Sequence, residues 1–225
     1  MDGKKAVLIG SAPLGKEQQY LHKLLSHRQE MMWIAVDGGI DYFVEHDFVP
    51  DLWIGDMDSF NATEVASQCL QRIPAECIKR VPVEKDDTDM ALAVEVAQDA
   101  GCDEILLFGG IGGSRLSHTI ANIQLMHDYA NQGCHIQMIG ENIRMEVMGP
   151  GVKAFSSDMQ GHISIFALTD CVKSVQIQGM KYDYKGDLSN RHALGVSNSF
   201  IGCSSSIESS KGALLLIFEE KQKEN

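Results

Sequence analysis

Leu52-Trp53-Ile54-Gly55-Asp56-Met57-Asp58-Ser59 runs from an apolar segment into a glycine and then into two carboxylates at i, i+2 spacing. An apolar run ending in Gly-Asp-x-Asp reads as a buried strand with its acids at the carboxyl edge, where open α/β sheets bind ligands. Two carboxylates held close at such an edge repel each other unless a cation lies between them. Mg²⁺ suits that place, since it takes one or two carboxylates together with phosphate oxygens. A second acidic cluster, Lys85-Asp86-Asp87-Thr88-Asp89, opens a helix further on. Each cluster also has a purely structural reading. Asp and Ser satisfy local backbone donors in turns, and Asp commonly starts helices. The recurrence of both at strand ends beside a glycine-rich loop points to metal-assisted phosphate chemistry.

Working outward, the first 140 residues alternate strand and helix signals. Strands are expected at Ala6 to Gly10, Met32 to Asp37, Leu52 to Gly55, Cys77 to Val81, Glu104 to Phe108 and Ile136 to Ile139. Helices are expected at Lys16 to Ser26, Ile40 to His46, Asn61 to Gln71 (with Glu64 at capping-box spacing), Thr88 to Ala100 and Leu116 to Asn131. Continuous apolar strands separated by helices predict an open, mostly parallel sheet with helices on both faces. After about Gly140 the helical periodicity gives way to short β runs: Ile143 to Val147, His162 to Leu168, Val172 to Ile177, Ser206 to Glu208 and Ala213 to Phe218. Gly149-Pro150-Gly151 and Gly179 to Gly186 read as turns, and Gly195-Val196-Ser197-Asn198-Ser199 as a turn-like segment able to present polar groups. The expected organisation is an α/β domain over residues 1–140 and a smaller all-β sandwich over 141–225, with a frayed polar end from Glu219.

Composition narrows the function. The net charge is −12 and no basic run exceeds a pair, which excludes an extended nucleic-acid surface. No run of 18 apolar residues exists, and the start is not a signal peptide, so a cytoplasmic protein with no membrane contact is expected. The six cysteines are scattered without a Cys-x-x-Cys pair, which reads as reduced thiols and argues against structural zinc. In so acidic a chain a nucleotide is expected to arrive as its Mg²⁺ complex.

The loop Phe108-Gly109-Gly110-Ile111-Gly112-Gly113-Ser114-Arg115-Leu116-Ser117-His118-Thr119 joins a strand to a helix. Its glycines let backbone approach a phosphate at a helix N-terminus, and Arg115 brings a forked cation to it. It is no P-loop, because no Gly-Lys-Ser/Thr follows, and Arg115 stands where the dinucleotide fingerprint has its third glycine. His118 is open to a capping, a core or a ligand role. Asp37-Gly38-Gly39 ends another strand at the same edge and leaves room for a ring or phosphate, with Asp37 as acceptor.

In this order, Asp37-Gly38-Gly39, Pro50-Asp51 before Gly55-Asp56-Met57-Asp58-Ser59, Lys85-Asp86-Asp87-Thr88-Asp89, the loop Gly109 to His118 with Asn122, Gly179-Met180-Lys181-Tyr182 and Ser197-Asn198 resemble the thiamine pyrophosphokinase family over nearly the whole chain. The resemblance implies an α/β nucleotide-binding domain, a C-terminal β-sandwich and a homodimer with active sites between subunits. It implies transfer of pyrophosphate from Mg-ATP to the hydroxyl of thiamine, giving thiamine diphosphate and AMP. On the same ground Asp56, Asp58 and Asp89 are the expected metal and catalytic acids, and Lys85 and Arg115 the triphosphate contacts. Asp37, Gly38, Gly39, Gly112, Gly113, His118 and Asn122 complete the nucleotide side, and Ser197 and Asn198 are the thiamine-side contacts.

One position departs from the pattern. The family has Arg-x-Asp-His where this chain reads Arg115-Leu116-Ser117-His118, so one carboxylate is missing. A water on Ser117, or Asp37 or Asp86, would stand in for it; otherwise the enzyme is weak or altered. Two rival readings remain: a pyrophosphokinase for another alcohol such as a hydroxymethylpterin, and a non-catalytic nucleotide- or thiamine-binding regulator.

Overall fold

The computed structural model describes residues 4–56, 71–82, 87–113 and 116–220. The expected helix over 61–71 and the chain end from 221 thus lie wholly or largely outside the described residues. The chain divides into one unit of residues 1–125 and 133–141 and another of 126–132 and 142–225.

In the first unit six strands, β1 (Lys4–Ile9), β2 (Met31–Val36), β3 (Leu52–Gly55), β4 (Ile78–Arg80), β5 (Cys102–Phe108) and β6 (His135–Gly140), lie in the order β6-β5-β1-β2-β3-β4. All five neighbouring pairs are parallel. The helices are α1 (Gln18–Leu24), α2 (Ile40–Glu45), α3 (Asp89–Asp99) and α4 (Leu116–Asn131). Side chains alternate along a strand. Val7, Ile9, Trp33, Ala35 and Trp53 therefore share one face, where they pack with Leu21 of α1 and with Ile40, Tyr42 and Phe43 of α2. Ala6, Leu8, Ile34 and Ile54 point the other way and are fully buried on the face that carries α3. Covering on both faces explains why these strands read as unbroken apolar runs.

The second unit holds β7 (Ile143–Met148), β9 (His162–Ala167), β12 (Gly195–Ser199) and β14 (Leu214–Glu219) in the order β12-β9-β14-β7. Its second sheet is β11-β10-β13-β8, formed by β8 (Gly151–Phe155), β10 (Val172–Gln178), β11 (Tyr184–Leu188) and β13 (Ser205–Ser209). Alternate residues of both sheets, among them Ile163, Ile165, Val175, Ile177, Ile207, Leu214 and Leu216, make one core.

Three strands depart from the sequence reading: β8, β11 and β12 fall in stretches read as turn or left unassigned. All three are edge strands. An edge strand pairs on one side only and needs no continuous apolar face, so glycine and charge are tolerated there. Gly186 and Asp187 inside β11 are examples. The five described cysteines, Cys77, Cys102, Cys134, Cys171 and Cys203, are free thiols. Burial pushes the Cys134 thiol up to about 11, which keeps it protonated and unreactive. Among the described residues no helix is long and apolar enough to cross a membrane.

Two polar devices are built into the sandwich, one between its sheets and one within a sheet. Glu146 on β7 is fully buried and is met by Arg144 at 3.1 Å and by Lys153 of β8, in the other sheet, at 2.8 Å. Arg144 in turn lies 4.0 Å from the ring centroid of Phe218. Asp187 of β11 accepts from Lys173 at 2.6 Å and from the backbone N–H of Ser174 at 2.9 Å. Ser174 has φ 54, at the point where the pairing of β10 with β11 shifts register.

Removing Lys153 takes from the buried Glu146 its ion pair with the other sheet. Lys153→Met is therefore expected to destabilise the protein by about 1–3 kcal/mol, less than for a wholly buried pair because Lys153 is partly solvated. An unchanged urea midpoint would disprove the assignment. The bonds from Lys173 and then Ser174 hold the Asp187 carboxyl below its ordinary value of 3.8. A lowered folded-state pKa adds stability that is present above the unfolded value and is lost as pH falls through the folded one. The stability gap between wild type and Asp187→Asn should therefore be constant near neutrality and shrink as pH drops below about 3.8. Thermal midpoints measured across that window check it, and a gap independent of pH counts against the clamp.

Candidate active site

The strand order reverses at β1: β2, β3 and β4 follow on one side, β5 and β6 on the other. The crevice outside the carboxyl ends of β1 and β5 is the topological switch point, the place where such sheets take ligands. The loops leaving β1 and β5 are joined there through main chain alone. Gly10 N donates to Phe108 O at 2.8 Å and Ala12 N to Gly109 O at 3.1 Å. A Cβ on Gly10 would sit 2.7 Å from the Gly109 carbonyl, closer than any side chain tolerates. Gly39 is tighter still, because a Cβ there would overlap the carbonyl of Ile9. The Asp37-Gly38-Gly39 turn can press onto β1 only with no side chain at Gly39.

That turn sets Asp37. Its φ of 49 is left-handed, a conformation that Asp adopts more readily than most residues. Its carbonyl accepts from the indole Nε1 of Trp53 at 3.1 Å. Asp51 fixes the entry of β3 by accepting from Trp33 N at 2.8 Å through its carboxylate, while its own N–H donates to Trp33 O at 2.8 Å. A Cβ on Gly55 would meet the Asp37 carboxylate, so the Asp37 side chain lies over the end of β3, directly before Asp56. Asp56 is half-buried, and the chain from 57 to 70, including Asp58, lies outside the described residues.

Asp89 reaches the same edge by a different route. Thr88 has extended backbone and its hydroxyl accepts from Ala91 N at 3.1 Å, so Thr88 caps α3. Asp89 is thereby relieved of the capping role and stands in the first turn, where the helix dipole favours its charge. The following residue, Met90, is buried, and its Cε lies 2.9 Å from the Cβ position of Gly10, which brings the start of α3 to the end of β1.

The glycine loop after β5 is held from the first turns of α4. Gly112 N donates to the Thr119 hydroxyl at 3.1 Å, and Asn122, buried, donates to Gly110 O at 3.0 Å. Asn122 thus anchors the loop itself. Gly112 and Gly113 have φ of 81 and 75 and are exposed, as are Ser117 and His118, which rules out a core role for the histidine. Ser114, Arg115, Lys85 and Asp86 lie outside the described residues.

The carboxylates offered at this edge by Asp37, Asp56 and Asp89 are oxygen donors only. Among the described residues no group of three or more His, Cys, Asp or Glu is assembled to hold a metal. Such a donor set fits Mg²⁺, which needs only one or two carboxylates and fills its remaining positions with water and phosphate oxygens. It does not fit a structural zinc site.

In the second unit a small cleft, about 80 Å³, is lined by Tyr182, Asp183, Tyr184, Leu194, Val196 and Asn198, among others. Ser197 is exposed with φ 60, its N–H donating to the Ser164 hydroxyl at 3.1 Å. Asn198 is buried and bonded to the main chain of Tyr182. Sequence reasoning pointed to Ser197 and Asn198 and to the Gly179-Met180-Lys181-Tyr182 motif. It missed the aromatic and acidic lining at Asp183 and Tyr184, as well as the Trp53 bond to Asp37. The one available signal was a pair of tyrosines in a glycine-bounded stretch that a plain turn does not require.

A glycine loop and acids along the edge at a switch point, followed by a β-sandwich with its own cleft, fit a phosphate-transferring α/β enzyme with an appended binding module. Residues 21–138 match the model of the thiamin pyrophosphokinase catalytic domain, and residues 154–214 that of the thiamin pyrophosphokinase vitamin B1 binding domain. The chain belongs to the thiamine pyrophosphokinase family, and its enzyme class is that of a thiamine diphosphokinase. It is 28% identical over 195 residues to a thiamine pyrophosphokinase of Bacillus subtilis, covering 84% of this chain and 87% of that one. Among solved structures it is similar to thiamine pyrophosphokinase from Bacillus subtilis (TM-score 0.83, 23% identity, 97% of this chain and 100% of that one). It is similar also to that from Geobacillus thermodenitrificans (TM-score 0.79, 26% identity, 97% and 99%). The yeast enzyme shares the fold at 13% identity (TM-score 0.78, 97% and 87%). The matches to both domains disfavour a different acceptor alcohol and a non-catalytic regulator.

Trp53→Phe removes the N–H that holds the Asp37 carbonyl and also exchanges a buried bicyclic indole for a smaller ring. The expected stability cost is about 1–4 kcal/mol, from the lost bond and the lost packing together, with a fall in turnover because Asp37 loses its orientation. Turnover of the folded variant at saturating substrate that matches wild type would show that the bond does not orient the site.

Proposed function

We infer that this chain transfers the β,γ-pyrophosphoryl group of ATP to the hydroxyl of thiamine, releasing AMP, and that the carboxyl edge of the parallel sheet is where the triphosphate is held. The observation that carries this reading is the placement of Asp37, Asp56 and the start of α3 with Asp89 around the end of β1, beside the glycine loop. The loop's exposed backbone at Gly112 and Gly113 is suited to phosphate oxygens, and Arg115, Lys85 and His118 are assigned to the same phosphates.

Mg²⁺ is assigned to Asp56, Asp58 and Asp89; when bound it neutralises charge on the bridging phosphates. The residues of this chain do the rest by position. The acceptor hydroxyl attacks the β-phosphorus, its oxygen forms the new P–O bond, and the bond to the AMP oxygen breaks. A carboxylate of the same acid group takes the hydroxyl proton. Charge accumulates on phosphate oxygens, so fixed donors and cations matter more than covalent chemistry.

For the acceptor, the cleft of the β unit supports thiamine over a neutral pterin alcohol. Its lining combines the aromatic rings of Tyr182 and Tyr184 with the carboxylate of Asp183. Aromatic faces and a carboxylate both favour a cationic heteroaromatic such as a thiazolium. The Tyr182 ring already takes one cation, the ammonium of Lys181 at 5.2 Å from its centroid, which shows its affinity for positive charge. Exposed Leu194, Val196 and Ile201 are assigned to the contact of a homodimer, with the cytoplasm as its compartment.

Thiamine-dependent release of AMP from ATP tests the whole reading. AMP should form with thiamine and Mg²⁺ and be absent without either; AMP formed equally well with a hydroxymethylpterin would overturn the acceptor assignment. Asp56→Asn should lower turnover at least roughly 100-fold, about 2.7 kcal/mol of transition-state stabilisation, with the fold retained. Near-normal turnover at saturating Mg²⁺ would remove Asp56 from the site. Arg115→Ala should raise the KM for ATP well above any change for thiamine. Equal changes in the two constants would argue against a triphosphate contact.

A further inference from the structure

Asn198 stands where β12 leaves regular pairing. The register with β9 shifts between Gly195 and Asn198, and Ser197 just before it is left-handed. The residue is 4% exposed. Oδ1 accepts from the N–H of Tyr182 at 2.9 Å and from that of Ser199 at 2.9 Å, while Nδ2 donates to the carbonyl of Tyr182 at 2.7 Å. A primary amide has two acceptor lone pairs and two N–H donors. Both acceptor positions and one donor are therefore engaged within the protein, and a single N–H remains for a ligand.

What the amide does is imitate a strand. It exchanges two hydrogen bonds with the main chain of Tyr182, extending the contact begun by Lys181 N to Ser199 O at 2.9 Å and by the bridge between Met180 and Phe200. The glycine-bounded segment around Tyr182 is thereby fixed to β12 through the Asn198 side chain as well as through main chain. Tyr182 itself is 57% exposed and lines the cleft, so little packing holds its ring in place. Without the Asn198 amide, both main-chain polar groups of Tyr182 lose these partners.

We propose that Asn198 is a positioning residue for the acceptor substrate: it acts through the Tyr182 main chain, and the Tyr182 ring makes the contact. The proposal rests on the reading of this cleft as the thiamine site and assigns the direct contact to a residue other than the buried amide of the Ser197-Asn198 motif.

A double-mutant cycle read on the KM for thiamine tests it. Tyr182→Ala should raise that constant about 3- to 30-fold, the range of a lost aromatic face against a cation, with the KM for ATP within about twofold of wild type. Asn198→Ala should raise it by a similar factor. In the Tyr182→Ala background Asn198→Ala should add less than about twofold, because the ring it positions is gone. Effects that multiply instead would mean that Asn198 touches the substrate, and the proposal falls. Equal changes in the KM for ATP and thiamine, or a loss of active fraction alone, would mean a merely structural role and would also overturn it. Should Asn198→Ala not fold, the same cycle is run with Asn198→Asp, which keeps both acceptor bonds and loses the donor to Tyr182 O. Its effect should likewise vanish when Tyr182 is absent, and persistence overturns the proposal. Should Tyr182→Ala leave the KM for thiamine unchanged, the reading of the cleft itself fails, an outcome distinct from multiplying effects of the two residues.

Discussion

Main chain packed against main chain at the carboxyl edge of the parallel sheet is the constraint on which the rest of this structure depends. Gly10 lies against Gly109, and Gly39 lies against Ile9, at distances no Cβ allows. These contacts draw the loops after β1, β2 and β5 together at the switch point. Side chains at those positions would hold the loops apart, and Asp37, the start of α3 and the glycine loop would no longer share one edge. The apolar strands provide the stability, and the glycines decide what that stability displays.

Once the loops are close, hydrogen bonds from neighbouring elements set their orientation. Trp53 holds the Asp37 carbonyl, Thr88 caps α3 and so sets Asp89 in its first turn, and Thr119 and Asn122 hold the glycine loop from α4. Asn198 does the same for Tyr182 in the β unit. The recurring device is a side chain bonded to the backbone of a loop, which lowers the freedom of that loop before substrate arrives. A site fixed in advance loses less entropy when it binds and holds its charges where they act. The two buried or clamped carboxylates of the sandwich, Glu146 and Asp187, belong to a separate class. Glu146 ties one sheet to the other and Asp187 holds a bulge.

Much of this was legible in the amino-acid sequence. Continuous apolar runs separated by helical periodicity announced a covered parallel sheet, and the shift to short alternating runs after Gly140 announced the β-sandwich. The acids Asp37, Asp56 and Asp89 stood out because each ends a strand or starts a helix, a local fact. The edge strands β8, β11 and β12 were not legible. A strand paired on one side carries little hydrophobic signal, and Gly195 to Ser199 has the composition of a loop. The roles of Asn122 and Asn198 were hidden for a related reason. A polar residue in a motif looks the same whether it faces a ligand or a carbonyl.

The sequence by itself determined the layers, the order of motifs and the chemistry on offer: oxygen donors, a glycine loop and a forked cation. These follow from residue type and from spacing along the chain, which local physics reads directly. Only the tertiary structure decided which of those groups share an edge and which are already occupied. It placed the Asp37 carboxylate over Gly55, spared Asp89 from capping and engaged three of the four hydrogen-bonding positions of Asn198 within the protein. The physical reason is that hydrogen-bond partners and steric limits belong to pairs of residues far apart in the chain, and a pair has no signature until the chain has folded.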